Sequence, residues 1–209
     1  MSKRKFDKFL ESVRKVFGKN FLSEMTNAYR EEPRGLFENK SRYVVKPTST
    51  KQVSDFMSLS TKYSIPVVPR AGGTGLVGGQ MASHEDWITM SLEKMDKIKN
   101  FSKINQSVEV EAGVNLETLQ EFVKQKNFFL PLSMASRGSC LIGGNLATNA
   151  GGVNVLKYGN ARDLCLGLEV VLVDGTIIND LKVLKKDNSG YDIKNLFIGS
   201  EGTLGIITS

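Results

Sequence analysis

The sequence predicts an α+β fold. Three observations carry that expectation. Apolar residues recur at helical spacing near the N-terminus, over 49–63 and over 116–123. Short apolar runs between turn residues read as strands, and two long glycine-rich loops interrupt the pattern without extending any helix. The first element, MSKRKFDKFLESVRKVFG, is basic and amphipathic and sets Phe6, Phe9, Leu10, Val13 and Phe17 on one face. Asp7 and Glu11 distinguish it from an acid-poor mitochondrial presequence, and it lacks the apolar core of a secretory signal. It reads as a surface helix turned inward, opening an N-terminal helical segment over 1–40 that ends in a polar connection from Arg30 to Lys40.

A short strand is expected over Arg42–Lys46. A capping box follows, Ser49 with Gln52 three residues on, and opens a helix carrying Val53, Phe56, Met57 and Tyr63. Ile65–Val68 is the next strand, closing a parallel β-α-β unit. Trp87–Met90 reads as a strand, and Lys97–Glu111 as two short strands able to pair. Leu116, Leu119, Phe122 and Val123 mark a second amphipathic helix after Gly113. Leu164–Val173 reads as one long apolar strand, Asp174-Gly175 as a type I′ turn, and Thr176–Ile178 as the returning strand. Leu204–Thr208 is a final apolar strand.

Composition narrows the function classes. No apolar run is long enough for a transmembrane helix. The net charge is +6, but the basic residues are scattered with no recognition motif among them, so nucleic acid is not the expected partner; an anionic cofactor or acid suits the charge. Two cysteines, Cys140 and Cys165, give no disulfide framework and suit a reducing compartment, and with the single His84 they make a protein-only zinc site implausible.

Three stretches carry the chemistry. In VVPRAGGTGLVGG, Val67–Gly79, a strand runs into glycines whose consecutive N–H groups can form a concave nest for phosphate, with Arg70 adding charge. Gly73, Gly75 and Gly78 also satisfy the dinucleotide fingerprint G-x-G-x-x-G, but that motif needs a helix directly after it, and Gln80–Asp86 has no helical period. In GSCLIGGNLATNAGG, Gly138–Gly152, the absence of bulk and charge fits backbone lying against a large planar ligand, with Ser139, Asn145, Thr148 and Asn149 able to bond ring heteroatoms or neighbouring backbone. It fits equally a tight crossover in which glycine only permits contact. The third stretch, GYDIKNLFIGSEGTLGIIT, reads alone as a hairpin-like connection into the last strand.

Taken together, PRAGGTGLVGG, GSCLIGGNLATNAGG, KYGNARDLCLGLEVVLVDG and KKDNSGYDIKNLFIGSEGTLGIIT resemble, in order and at family spacing, the flavin domain of the FAD-linked oxidases of the vanillyl-alcohol oxidase superfamily. Within it they look most like D-2-hydroxy-acid dehydrogenases of the glycolate oxidase and D-2-hydroxyglutarate dehydrogenase types, GSC before IGGN and KKDNSGYD leaning to the latter. The resemblance implies a PCMH-type FAD-binding domain over 41–209, built of two α+β lobes with FAD between them. It places Arg70, Ala71, Gly72, Gly73, Thr74, Gly75 and Leu76, with Gly79 and Gln80, at the pyrophosphate. Gly138, Ser139, Gly143, Gly144, Asn145, Thr148 and Gly151, with Leu132, fall along the flavin ring and ribityl chain, and Glu201, Gly202 and Ile206 near the ADP half.

Two residues depart from the family pattern. Ala71 stands where relatives often carry glycine, a strained choice if that position needs positive φ and a harmless one otherwise. Thr74 stands near where some superfamily members carry a flavin-linking His, so non-covalent FAD is expected and His84 is read as a surface residue. The family's C-terminal cap domain, which supplies the acid-binding cation and the base, is expected to be absent, the sequence stopping where it would begin. The implied activity is oxidation of a D-2-hydroxy acid (glycolate, D-lactate or D-2-hydroxyglutarate) to the 2-oxo acid, hydride passing to the flavin, with the catalytic base not assigned in this chain. The chain alone is expected to be inactive; the alternative is a non-catalytic FAD- or nucleotide-binding subunit needing a partner chain or a second copy. The resemblance implies bacterial cytoplasm or the membrane periphery, and the mitochondrion in a eukaryote.

Overall fold

The computed structural model describes residues 3–209. The chain opens with α1, Lys3–Phe17, which buries Phe6, Phe9, Leu10 and Val13 while Phe17 packs half-buried at its end. Each fully buried Phe or Val adds about 1.5–3 kcal/mol of apolar burial. A 3₁₀ turn at Lys19–Phe21 leads to β1, Leu22–Glu24, and then to the single turn α2, Asn27–Arg30. Sequence reasoning missed β1, whose three residues carry no period-2 signal. It pairs antiparallel with β2, Tyr43–Val45.

The helix α3, Thr50–Tyr63, starts where expected, but its capping box is only half formed. Ser49 Oγ accepts from the Gln52 N–H at 3.3 Å, whereas Gln52 Oε1 accepts from the N–H of Thr48, not of Ser49. The helix stops on Ser64 in the left-handed region, and the Ile65 N–H is spent on Ser60 O. With Ile65 committed to the helix end and Pro66 lacking an N–H, β3 is displaced to Val67–Arg70. It pairs parallel with β4, Ile88–Ser91, and so does β2, giving the sheet order β1-β2-β4-β3. The expected parallel unit therefore exists, with β4 inserted between its two strands. No helix forms over 71–87, which removes the structural context the dinucleotide fingerprint requires.

β5, Ile98–Ser102, and β6, Ser107–Val110, form an antiparallel pair under α4, Leu116–Lys124. Asn115 caps α4 through the N–H groups of Glu117 and Thr118, and Val114, Leu119 and Val123 fill the contact with the pair. α5, Ile142–Ala147, lies inside the second glycine stretch, followed by α6, Val155–Tyr158, and α7, Ala161–Leu164. α7, opened by a reciprocal capping box of Asn160 and Asp163, takes Leu164 from the expected long strand, and Cys165–Gly167 are irregular. β7 is accordingly only Leu168–Val171.

β7 pairs with β8, Ile177–Asp180, but not through a type I′ turn. Gly175 alone has positive φ; its N–H bonds Leu172 O, and Leu172 N–H bonds Thr176 O. That is a three-residue loop with glycine at the left-handed position. The expected hairpin-like connection near the end contains a helical turn, α8, Lys194–Phe197. The last strand, β9, is confined to Ile206–Ile207, antiparallel to β7. The order β8-β7-β9 completes the second lobe.

The lobes are sewn together. Ser54 Oγ donates to Gly175 O at 2.6 Å, Ser58 Oγ to Asp174 O at 2.8 Å, and Thr61 Oγ1 to Val173 O, so one face of α3 holds the β7–β8 loop by its carbonyls. Val171 and Ile206 of the second lobe enter the first lobe's core. The mixed helices and sheets make this an α+β fold, as the pattern predicts.

Cys165, just after α7, has its thiol pushed up to about 11 by burial, which hydrogen bonding to the Gly167 backbone only partly offsets. Alkylation at pH 8 is expected to be at least tenfold slower in the folded chain than in the unfolded one. The proton is held more tightly when folded, so this group's contribution to stability is whole below the ordinary thiol range and is lost as pH rises toward about 11. Equal alkylation rates in folded and unfolded chain would contradict the burial.

Candidate cofactor cleft

β3 delivers Arg70 to a loop, 71–80, in which Gly73 and Gly78 take positive φ. Ala71 does not, so alanine sits there without strain. Gln80 pins the loop closed, its Nε2 donating to Gly73 O and Gly75 O at 3.1 Å each. Among the described residues, no backbone N–H from Gly72 to Gln80 donates to an acceptor within the protein. This is a run of free donors on a fixed curve, the arrangement of an anion nest.

The second glycine stretch crosses this loop at contact distance. A Cβ on Gly72 would lie 2.1 Å from Ser139 O, and one on Gly144 would lie 2.6 Å from Ala71 Cβ. Gly143 and Gly152 serve a different purpose: their absent side chains admit Ala112 and Ser133 O. Both readings left open by the sequence are therefore realised, at different glycines. The N–H groups at the start of α5 are not free, since Ile142 and Gly143 donate to Val114 O and Ala112 O. That helix end is tied to the fold, and the nest is the loop.

Between the two stretches lies a cleft of about 200 Å³. Of the residues expected there, Arg70, Ala71, Gly72, Gly73, Thr74, Gly75, Gly79, Gln80, Gly143, Gly144, Asn145, Thr148, Glu201, Gly202 and Ile206 line it. Five do not. Leu76 is exposed, its carbonyl accepting from Arg34; Leu132 packs with Leu116 and Cys140. Gly138 faces Glu117, Ser139 reaches the crossing only by its carbonyl, and Gly151 lies against Asn160 and Val155. Leu92, Met134, Cys140, Leu141 and Gly205 also line the cleft, and sequence reasoning missed them. Cys140 and Leu141 stand inside the second glycine stretch, so its apolar members were the available signal.

The third stretch closes one end of the cleft. Glu201, held at φ +53 by its N–H bond to Ala147 O, brings a carboxylate oxygen within 3.1 Å of where a Gly79 Cβ would be. Asn149 spends its oxygen on the Arg162 N–H, and Thr148 Oγ1 donates to Gly144 O, so those two bond neighbouring backbone. Two cleft-lining side chains keep a buried nitrogen without an acceptor, Arg70 Nε and Asn145 Nδ2. Burial pulls the Arg70 guanidinium below its usual range, opposed by the nearby Tyr29 and Glu93.

Free N–H groups, an arginine and glycine-rich walls with apolar side chains between them suit an anionic, partly apolar ligand. Residues 41–180 match the FAD binding domain family, and the chain belongs to it. It is 47% identical over 174 residues to the probable mitochondrial D-2-hydroxyglutarate dehydrogenase of Oryza sativa subsp. indica, covering 83% of this chain and 31% of that protein. The Bos taurus D-2-hydroxyglutarate dehydrogenase is 44% identical, with 81% and 31% covered. A putative mitochondrial D-lactate dehydrogenase of Schizosaccharomyces pombe is 42% identical, with 82% and 32% covered. The chain thus spans about a third of the length of these relatives. Among solved structures, alkyldihydroxyacetonephosphate synthase superposes with TM-score 0.82 at 23% identity, over 97% of this chain and 42% of that one. p-Cresol methylhydroxylase superposes with TM-score 0.76 at 18% identity, over 100% and 43%.

FAD is the cofactor of this family, and the residues present fit it. The free loop donors and the orphaned Arg70 and Asn145 nitrogens lack acceptors that a phosphorylated, heteroatom-bearing ligand carries. Among the described residues no helix is long and apolar enough to cross a membrane.

Proposed function

We propose that this chain is the FAD-binding part of a D-2-hydroxy-acid dehydrogenase, with D-2-hydroxyglutarate the foremost substrate and D-lactate second. The observation that supports this most directly is the row of free N–H groups from Gly72 to Gln80, in a chain 47% identical to a D-2-hydroxyglutarate dehydrogenase over most of its length. In this reading Arg70 and the 72–80 loop hold the pyrophosphate. Gly143, Gly144 and Asn145 flank the flavin ring, Asn145 Nδ2 donating to a ring heteroatom. Glu201, Gly202 and Ile206 border the ADP half, and residues 41–209 are the cofactor domain, to which the preceding segment adds α1 and the edge strand β1. Thr74 cannot form a histidyl link, so FAD is held without a covalent bond.

Bound FAD would supply the two-electron acceptor, taking the Cα hydride of the acid while the hydroxyl proton leaves to a base, which gives the 2-oxo acid. This chain's share is to bind, orient and exclude water. Among the described residues, the titratable side chains lining the cleft are Arg70, Cys140 and Glu201, with no His or Lys. That lining favours a second statement over an independent enzyme: the acid-binding cation and the base come from residues outside this chain or from a partner chain. In a eukaryote the mitochondrial names of the relatives would apply, and in a bacterium the cytoplasm or the membrane periphery.

The test is the visible absorption spectrum of the purified chain before and after addition of FAD and desalting. A fraction of bound flavin is expected, which D-2-hydroxyglutarate and D-lactate do not bleach. Absence of any flavin uptake at excess FAD would remove the cofactor reading, and robust turnover would remove the division of labour.

A further inference from the structure

Residues 28–37 lie outside the matched family span, yet they meet the cofactor loop at three points. Arg70 Nη2 donates to Ala28 O at 2.9 Å, and the guanidinium carbon lies 4.9 Å from the Tyr29 ring centroid. Arg34 donates to Leu76 O. The Phe37 ring packs on Gly78, where a Cβ would come within 2.9 Å of it.

The segment making these contacts is itself fixed. The buried Glu32 carboxylate accepts from the Arg34 N–H at 3.0 Å and the Leu36 N–H at 2.6 Å. Asn39, fully buried, donates to Tyr29 O and to Thr89 Oγ1 on β4. The Tyr29 hydroxyl donates to the Glu93 carboxylate at 2.8 Å, and Lys46 joins the same carboxylate at 3.0 Å. Around the Tyr29 ring stand two cations, Arg70 and Lys46, against one carboxylate. The surplus is positive, and of these groups Arg70 lines the cleft with the free N–H row.

We propose that residues 28–37 are the outer wall of the phosphate cradle, with Tyr29 a positioning residue that holds the Arg70 guanidinium on the pyrophosphate side and Phe37 keeping the 76–80 turn folded over it. The proposal rests on the FAD reading above. An arginine side chain loses substantial rotamer freedom when a ligand fixes it, and a ring that fixes it beforehand removes that cost from binding. Loop donors likewise bind an anion best when their curve is set in advance.

The experiment is equilibrium titration of FAD, followed by flavin fluorescence, with the unsubstituted chain, Tyr29→Leu, Tyr29→Phe and Phe37→Ala. Thermal unfolding of each without FAD is measured alongside. Tyr29→Leu keeps apolar volume and removes the ring, so FAD affinity is expected to fall about tenfold. Tyr29→Phe keeps the ring and is expected to stay within about twofold, since only the hydroxyl bond to Glu93 is lost. Phe37→Ala, at an exposed site, is expected to weaken FAD about threefold with an unchanged melting temperature. Unaltered FAD affinity in Tyr29→Leu, or a Tyr29→Phe chain as weak as Tyr29→Leu, would overturn the proposal while leaving the FAD reading intact. If Tyr29→Leu does not fold, unaltered affinity in Phe37→Ala overturns it in the same way. No FAD binding by the unsubstituted chain would overturn the FAD reading, and this proposal with it.

Discussion

Gly72→Ala is expected to weaken FAD binding at least tenfold and to lower stability by about 2–3 kcal/mol. The added Cβ would stand 2.1 Å from Ser139 O and 2.9 Å from Cys140 Cα. Both neighbours are backbone, so no rotamer change relieves the clash. The segment that must retreat is anchored: Cys140 O accepts from the Leu116 N–H at 3.2 Å, Leu141 bridges Asn115, and the buried Cys140 packs on Leu116 and Leu132. Retreat therefore either breaks these contacts or moves the cofactor loop off its crossing, and the second outcome disperses the N–H row. Gly75→Ala is the matched control. Its nearest neighbour would be Gln80 Nε2 at 3.7 Å, an ordinary contact, and its φ is not positive. A change within about 0.5 kcal/mol is expected there, with some gain from a stiffer unfolded chain. Thermal unfolding and FAD titration of the two variants decide the matter; equal behaviour would mean that the crossing does not set the loop's position.

The contrast between those two glycines shows what could be read from the sequence. Glycine density announced that backbone must approach something closely. It could not say what, because the partner of Gly72 is a carbonyl far along the chain and carries no sequence signature. The N–H nest was legible, since a strand entering glycines with no helical period after them leaves donors free. The same absent period correctly argued against a dinucleotide fingerprint. Elements whose burial is periodic, α1, α3 and α4, were legible for the same kind of reason. Those fixed by single contacts were not. The Asn160–Asp163 box lies just before the apolar run and carries its helical turn into Leu164, the first residue of the expected strand. Residues 28–37 look like a polar connection because their ties, Tyr29 to Arg70 and Phe37 to Gly78, are isolated tertiary contacts. Leu76 and Gly151 belong to the right stretches yet do not line the cleft, and Leu132, between two stretches, packs with Leu116 and Cys140 instead, since position along a stretch does not fix which way a residue faces.

Phe56→Ala tests how far the first lobe depends on chain outside the matched family span. Phe56 lies on α3, fully buried, with ring centroids 5.8 Å from Phe9, 6.1 Å from Phe17 and 5.8 Å from Phe21. One side chain thus joins α3 to α1 and to the 3₁₀ turn, and β1 begins directly after Phe21. Removing the ring leaves a cavity lined by three rigid aromatics that cannot collapse into it, for a cost of about 3–5 kcal/mol. The damage should run in a definite direction. α1, the 3₁₀ turn and β1 lose their shared anchor, whereas β2, β3 and β4 keep their ladder. Hydrogen exchange is therefore expected to accelerate over 6–24 and to stay slow over 43–45 and 88–91. Because Tyr29 and Phe37 follow that segment, FAD affinity should fall together with its protection, even though no residue touching the cleft has changed. A variant that loses several kcal/mol of stability yet keeps both its N-terminal protection and its FAD affinity would show that the N-terminal segment docks independently of this aromatic cluster. Loss of both together would join the sequence's first legible feature, the apolar face of α1, to the cofactor loop through a chain of named contacts.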